Sequence, residues 1–163
     1  MRVRSLSTVL FAIAISSLVP FFVQAEAESV TAESEKTEPP DDIKLLAQSA
    51  ALPALTGKNP FILRESWWNG TIEPGKAKLI QAQLFRRNEY QFWFAVPSVD
   101  AGLNLNIYNG EGELVPSETI SYDATNVVSA RLAPELTGIY YIRISLKTTV
   151  KDSQDWAVIY GYR

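Results

Sequence analysis

The sequence predicts an all-β chain, folded as an antiparallel, jelly-roll-like β-sandwich of about eight strands. Three observations predict it. After Phe61, apolar and polar residues alternate with a period of two, as they must in strands that cover a core on one face only. Turn-forming clusters break these runs at short intervals: Glu73-Pro74-Gly75, Arg87-Asn88-Glu89, Asn109-Gly110-Glu111-Gly112, Asp123-Ala124-Thr125-Asn126 and Thr137-Gly138. No glycine-rich phosphate loop follows any run, which removes nucleotide-binding α/β folds. The 163 residues include no cysteine, so a hydrophobic core and not a disulfide framework must hold the body together.

The chain divides by charge. Residues 1–25 carry only Arg2 and Arg4, followed by an uncharged and mostly apolar run from Leu6 to Val23. This is the pattern of a signal peptide, with small-x-small cleavage sites at Val23-Gln24-Ala25 and Ala25-Glu26-Ala27. The rival is an uncleaved anchor, since about 20 apolar residues span a bilayer. Ser16, Ser17, Pro20 and Gln24 argue against it. No cysteine follows for a lipid anchor. The expected product is periplasmic or secreted, cleaved near Ala25 or Ala27, with no membrane span left after cleavage. Residues 26–42 set Glu26, Glu28, Glu33, Glu35, Glu38, Asp41 and Asp42 against Lys36 alone. That stretch has no apolar period and is expected to be a disordered linker, a solvated spacer in preference to an acidic interaction tail.

Residues 43–60 are expected to form a short helix and a connector. Asp41 or Asp42 caps the helix, Ile43, Leu46 and Ala47 (or Ala50) share one face, and Leu52-Pro53 ends it. Residues 61–163 then supply the strands. In Lys78–Leu84, Ile80, Ala82 and Leu84 face one way and Gln81 and Gln83 the other. In Tyr90–Val96, Tyr90, Phe92, Phe94 and Val96 oppose Gln91, Trp93 and Ala95. Leu103, Leu105 and Ile107 alternate with Asn104, Asn106 and Tyr108. Tyr140, Ile142, Ile144 and Leu146 alternate with Tyr141, Arg143, Ser145 and Lys147. Phe61–Trp68, Glu113–Ile120, Val127–Leu132 and Asp155–Tyr162 complete the set. Pro116 marks its run as an edge or bulged strand.

Composition limits function. With no histidine and no cysteine, the usual general base, the Ser-His-Asp triad and sulfur-built metal sites are gone. Residues 43–163 are close to neutral, without the basic footprint that nucleic acid demands. Carboxylate pairs such as Glu111/Glu113 and Asp152/Asp155 fall in predicted loops with no apolar setting to raise a pKa. An enzyme is not expected.

The order of the motifs is specific. Gly70-Thr71-Ile72-Glu73-Pro74-Gly75 leads to an alternating strand, then come Asn88-Glu89-Tyr90-Gln91-Phe92 and Leu103-Asn104-Leu105-Asn106-Ile107-Tyr108-Asn109. Ala133-Pro134-Glu135 and Gly138-Ile139-Tyr140-Tyr141-Ile142-Arg143-Ile144 follow, before a closing aromatic strand. Over about residues 68–163 this resembles the bacterial pre-peptidase C-terminal domain, a jelly-roll-like sandwich appended to secreted peptidases. The resemblance implies a non-catalytic accessory module that binds calcium or insoluble substrates such as collagen or polysaccharide, or assists secretion. Two features depart from it. Asn104 and Asn106 stand where the family often has carboxylates, and no peptidase segment precedes the domain in this sequence.

Two sets of residues are candidates for binding. Trp67, Trp68, Trp93, Tyr108 and Tyr141, in a chain that also holds Trp156, Tyr160 and Tyr162, offer an aromatic face for stacking on an extracellular glycan or docking an envelope or secreted protein. Adjacent Trp67 and Trp68 must point to opposite faces of a strand, and Trp93 falls opposite the core set. The alternative is that a second sheet, the N-terminal segment or a domain edge covers them. Asp100, Asn104, Asn106 and Asn109 offer oxygen to calcium, which takes 6–8 oxygen ligands; otherwise no cofactor is expected. Against calcium, no Asp-x-Asp-x-Asp-Gly loop is present, and Asn-Gly makes a tight turn by itself. Asn69-Gly70-Thr71 matches a glycosylation sequon but is expected to be only a turn. A structural or secretion-assisting role is the alternative to binding.

Overall fold

The computed structural model describes residues 41–98, 101–122 and 126–163. The expected signal peptide, nearly all of the acidic linker, and Asp100 and Asp123 lie outside the described residues.

Helix α1 (Asp41–Leu55) precedes nine strands: β1 (Ile62–Leu63), β2 (Trp68–Ile72), β3 (Ala77–Leu84), β4 (Tyr90–Ala95), β5 (Gly102–Tyr108), β6 (Glu118–Ser121), β7 (Val127–Leu132), β8 (Gly138–Lys147) and β9 (Gln154–Tyr162). The larger sheet runs β1-β9-β4-β7-β6, with β2 also on the outer edge of β9, and the smaller sheet runs β3-β8-β5. Every pairing is antiparallel. The chain changes sheet at nearly every connection, and among the described residues only β6 and β7 are consecutive strands that pair with each other. This is the jelly-roll-like sandwich that the alternating pattern predicts.

The inner faces are those the period of two assigns. Ile80, Ala82 and Leu84, Tyr90, Phe92 and Phe94, Leu105 and Ile107, and Ile142, Ile144 and Leu146 meet in one core. At the end of the larger sheet, Glu89 holds Arg163 at 2.6 Å and Arg131 at 3.5 Å. Arg131 also hydrogen-bonds Glu118, the chief cause of its raised pKa.

Several expectations are corrected. The single strand Phe61–Trp68 is two, β1 and β2, both laid along β9. Asn69-Gly70-Thr71 is not a turn but the middle of β2, paired with Ala157, Trp156 and Asp155. Gly70 has φ +152° there and lies against the Trp156 ring, a backbone conformation that side chains with a Cβ rarely adopt. β1 also passes so close to β9 that a Cβ on Gly161 would sit 3.0 Å from the Ile62 carbonyl oxygen. The strand expected over Glu113–Ile120 is split by Pro116, which has no N–H for a ladder. Before it, Asn109 N bonds Glu113 O and Val115 N bonds Ile107 O, along the edge of β5. After it, β6 joins the larger sheet. Pro116 thus stands where the chain crosses between layers.

The helix is longer than expected and its role is larger. It runs to Leu55 with Pro53 inside. The carbonyl that loses its partner to Pro53 belongs to Ser49, and both residues are exposed, where solvent can reach it. Ile43, Ala47 and Ala51, spaced by four, form a buried stripe against Trp93, Ala95, Val127, Ala157 and Ile159. Two alanines let the helix axis approach the sheet closely. The helix covers the outer face of the larger sheet, and all six residues of β4 are buried as a result. Trp93, expected on an exposed aromatic face, is 0% exposed. Its Nε1 donates to Tyr122 Oη at 3.0 Å, and its ring meets Phe61 edge-on at 6.3 Å. Gln91 is buried as well and donates to Ser129 Oγ at 2.9 Å.

An acid placed under this helix tests the docking. Ala47→Asp is expected to cost at least about 3 kcal/mol, because it leaves an unpaired carboxylate against the sheet. Leu45→Asp, on the exposed side of the same helix, should stay within about 0.5 kcal/mol of the parent. Denaturant midpoints measured in parallel decide the matter; equal losses would mean that the helix does not pack as described.

Candidate functional site

One sheet face has no covering element among the described residues: the outer face of β3-β8-β5. Its side chains follow from the pleat, since residues opposite the core set must point outward. Strand register puts them in rows. Tyr141 lies between Gln81 and Tyr108, Arg143 between Leu79 and Asn106, and Ser145 between Ala77 and Asn104. Successive rows on one face stand roughly 6.6 Å apart.

The first two rows form a shallow depression of about 370 Å³ lined by Leu79, Tyr108, Gly112, Tyr141 and Arg143. Leu79 is 66% exposed, and the two tyrosines and Arg143 are half-buried. An apolar patch with two phenol rings and a guanidinium at its centre can stack on a flat apolar ring and bond the polar groups around it. Among the described residues Arg143 has no ion-pair partner; the ion pairs there join Arg131 and Arg163 to Glu89 and Glu118 on the larger sheet.

The five aromatic candidates are therefore not one surface. Tyr108 and Tyr141 are register partners on the open face. Trp93 is buried beneath α1. Trp67, just before β2, and Trp68, its first residue, pack on opposite sides of the larger sheet. Trp67 packs with the helix cluster, with Lys44 Nζ 4.9 Å from its ring centre. Trp68 leans on Tyr160 at 5.0 Å, and Tyr160 stacks on Phe92 at 5.5 Å, so this series of rings belongs to the core. Beside it, Arg64 lies 5.8 Å from the Tyr162 ring centre, and hydrogen bonding to Tyr160 raises its pKa.

The calcium candidates are also separated in role. Asn109 Oδ1 accepts from the backbone N–H groups of Glu111 and Glu113, and its Nδ2 donates to Glu113 Oε2. Its side chain shapes the turn. Asn104 and Asn106 project from the open face, and Asn106 pairs in register with Arg143, a cation that opposes a metal ion. Asp100 lies outside the described residues. Among the described residues no three acidic, histidine or cysteine side chains are grouped to hold a metal.

Sequence reasoning missed Leu79 and Arg143 as site residues. The signal for Leu79 was present: it is the apolar residue on the Gln81/Gln83 side of its strand. An apolar side chain on an otherwise polar face has no core to explain it.

The four tryptophans give a direct check on this placement. Acrylamide is expected to quench only the fluorescence from Trp67 and Trp68, while Trp93 and Trp156, both buried, remain shielded. Trp67→Phe and Trp68→Phe should each remove part of the quenchable fraction, and Trp93→Phe none of it. A quenchable Trp93 would contradict the helix-covered sheet.

No protein-family model matches the chain, and no curated protein sequence is similar to it at a significant level.

Proposed function

We propose that this chain is an exported, non-catalytic accessory module that binds an extracellular glycan through the outer face of its smaller sheet. The observation that carries this reading is the cross-strand pair Tyr108–Tyr141 beside the exposed Leu79, on the sheet face that α1 leaves free. Aromatic rings on a flat surface stack on the apolar faces of sugars, and Gln81, Asn104 and Asn106 around them supply hydrogen-bond donors and acceptors.

Size favours a glycan over a folded protein partner. Three strands of about eight residues span roughly 26 by 14 Å, or about 370 Å² in plan. About a dozen residues point outward from this face, whereas a stable protein interface takes roughly 20–30 residues on each side. The ordered motifs that resemble the pre-peptidase C-terminal domain support an accessory role, and the leader-like residues 1–25 support export.

Affinity electrophoresis of the full chain through gels holding soluble polysaccharides tests the proposal. At least one polymer should retard the protein. Tyr108→Ala or Tyr141→Ala should weaken that retention about tenfold, equivalent to about 1.4 kcal/mol. Trp67→Phe, remote from the face, should leave it unchanged. Retention indifferent to both tyrosines, or none on any polymer, would overturn the assignment.

A further inference from the structure

We infer that the glycan taken by this face is acidic, carrying carboxylate groups that Arg143 binds. This deepens the proposed function and rests on it. The smaller sheet is sorted by charge. Its outer face carries Arg143 and Lys147 and not one Asp or Glu, while Lys78 pairs with Ile144 on the other side, although residues 43–163 hold nearly as many acids as bases, eleven to twelve. A face that merely needed solubility would mix both signs.

Arg143 stands at the centre of the arrangement. It occupies the middle strand, half-buried, with Leu79 and Asn106 beside it in register and Tyr141 one row away. The other buried or half-buried arginines, Arg131 and Arg163, are each matched to Glu89. Arg143 has no such acid among the described residues. A guanidinium held in an apolar setting presents a planar fork to a carboxylate, and a bidentate pair there is stronger than one in open water. The tyrosine row next to it receives the sugar ring whose carboxylate the arginine takes. Lys147 extends the positive potential toward the far end of the sheet. Glu111 and Glu113 flank Gly112 in the turn after Tyr108, and Glu113 is already bonded to Asn109. The face thus has a direction, with rings at one end and cations at the other.

The decisive probe is one polymer in two charge states. Polygalacturonate and its fully methyl-esterified form share a backbone and differ in the carboxylate. The full chain should be retained at least tenfold more strongly by the acid form, and raising salt from 50 to 500 mM should reduce that retention severalfold. Arg143→Gln should remove most of the difference between the two forms. Arg143→Lys, which keeps the charge without the fork, should restore part of it; melting curves of both variants confirm that they fold. Alginate, a second polyuronate, should behave as polygalacturonate does.

Equal binding of the esterified form, or of neutral xylan, with no salt dependence overturns the acidic assignment and leaves the glycan-binding reading intact. Polyglutamate retained as strongly as polyuronate overturns it too, since that marks general anion binding. A dimer that forms with rising concentration and is abolished by Tyr141→Ala would show that a second copy occupies the face. Failure on every glycan, acidic and neutral, removes both proposals together.

Discussion

The double burial of β4 is the constraint on which the rest of the structure depends. Six consecutive residues, Tyr90–Ala95, are buried, which a sandwich of two sheets alone cannot achieve, because each sheet then keeps one wet face. The second cover is α1. Without it, Trp93, Ala95, Val127, Ala157 and Ile159 would face water, and burial of one large apolar side chain is worth about 1.5–3 kcal/mol. The cover also demands that polar atoms beneath it be satisfied. Gln91, Ser129, Tyr122 and Trp93 do this among themselves: Tyr122 Oη takes the indole N–H and lies 3.3 Å from the Ser129 hydroxyl, which takes the Gln91 amide. A polar chain under a helix would be costly if any member lacked its partner.

This constraint explains what could be read from the sequence and what could not. The core-facing sets were legible because alternation assigns a side without reference to what lies beyond it. Tyr90, Phe92 and Phe94 follow from the pattern alone. Trp93 was correctly assigned to the other side, yet exposure is not a property of a side. It depends on whether another element covers it, and that element lies some fifty residues upstream. Its stripe of Ile43, Ala47 and Ala51 reads as weakly amphipathic because alanine carries little apolar signal. Small side chains are nonetheless what close packing against a sheet requires. The split of the first expected strand was hidden for a related reason. Gly70 resembles turn chemistry locally, and only its pairing with Trp156 across β9 makes it part of a strand.

The candidate site was legible in part, and the division is chemical. Tyr108 and Tyr141 were identifiable as outward-facing aromatics, and their meeting across β5 and β8 needed only the register. Trp68 had the same composition-level signal but a different fate. Its ring lies on Tyr160, which lies on Phe92, so one of its faces is spent inside the protein. Arg143 was legible as a polar residue on a polar face, which describes most surface arginines. What distinguishes it is the lack of carboxylates on all three strands, a property of a sheet assembled from segments far apart in sequence.

The form of the open face bears on the proposed function. Sites for small molecules are concave and surround most of the ligand; a sheet face with a shallow depression cannot do so. A polymer lying along the strands needs no enclosure, because successive rows of the sheet contact different parts of it and modest contacts add along the chain. The edges of the sheet are less suited to the task. Residues Glu113–Val115 already bond the edge of β5, and an edge offers backbone groups that favour extended peptides over sugars. The flat middle of the smaller sheet, with two phenol rings and one guanidinium in adjacent rows, has the geometry to hold a chain without gripping any single residue of it. Helix α1 closes the corresponding face of the larger sheet. The same packing that stabilises the sandwich therefore also leaves it one-sided, and one-sidedness suits the proposed role, in which the free sheet lies flat on a polymer.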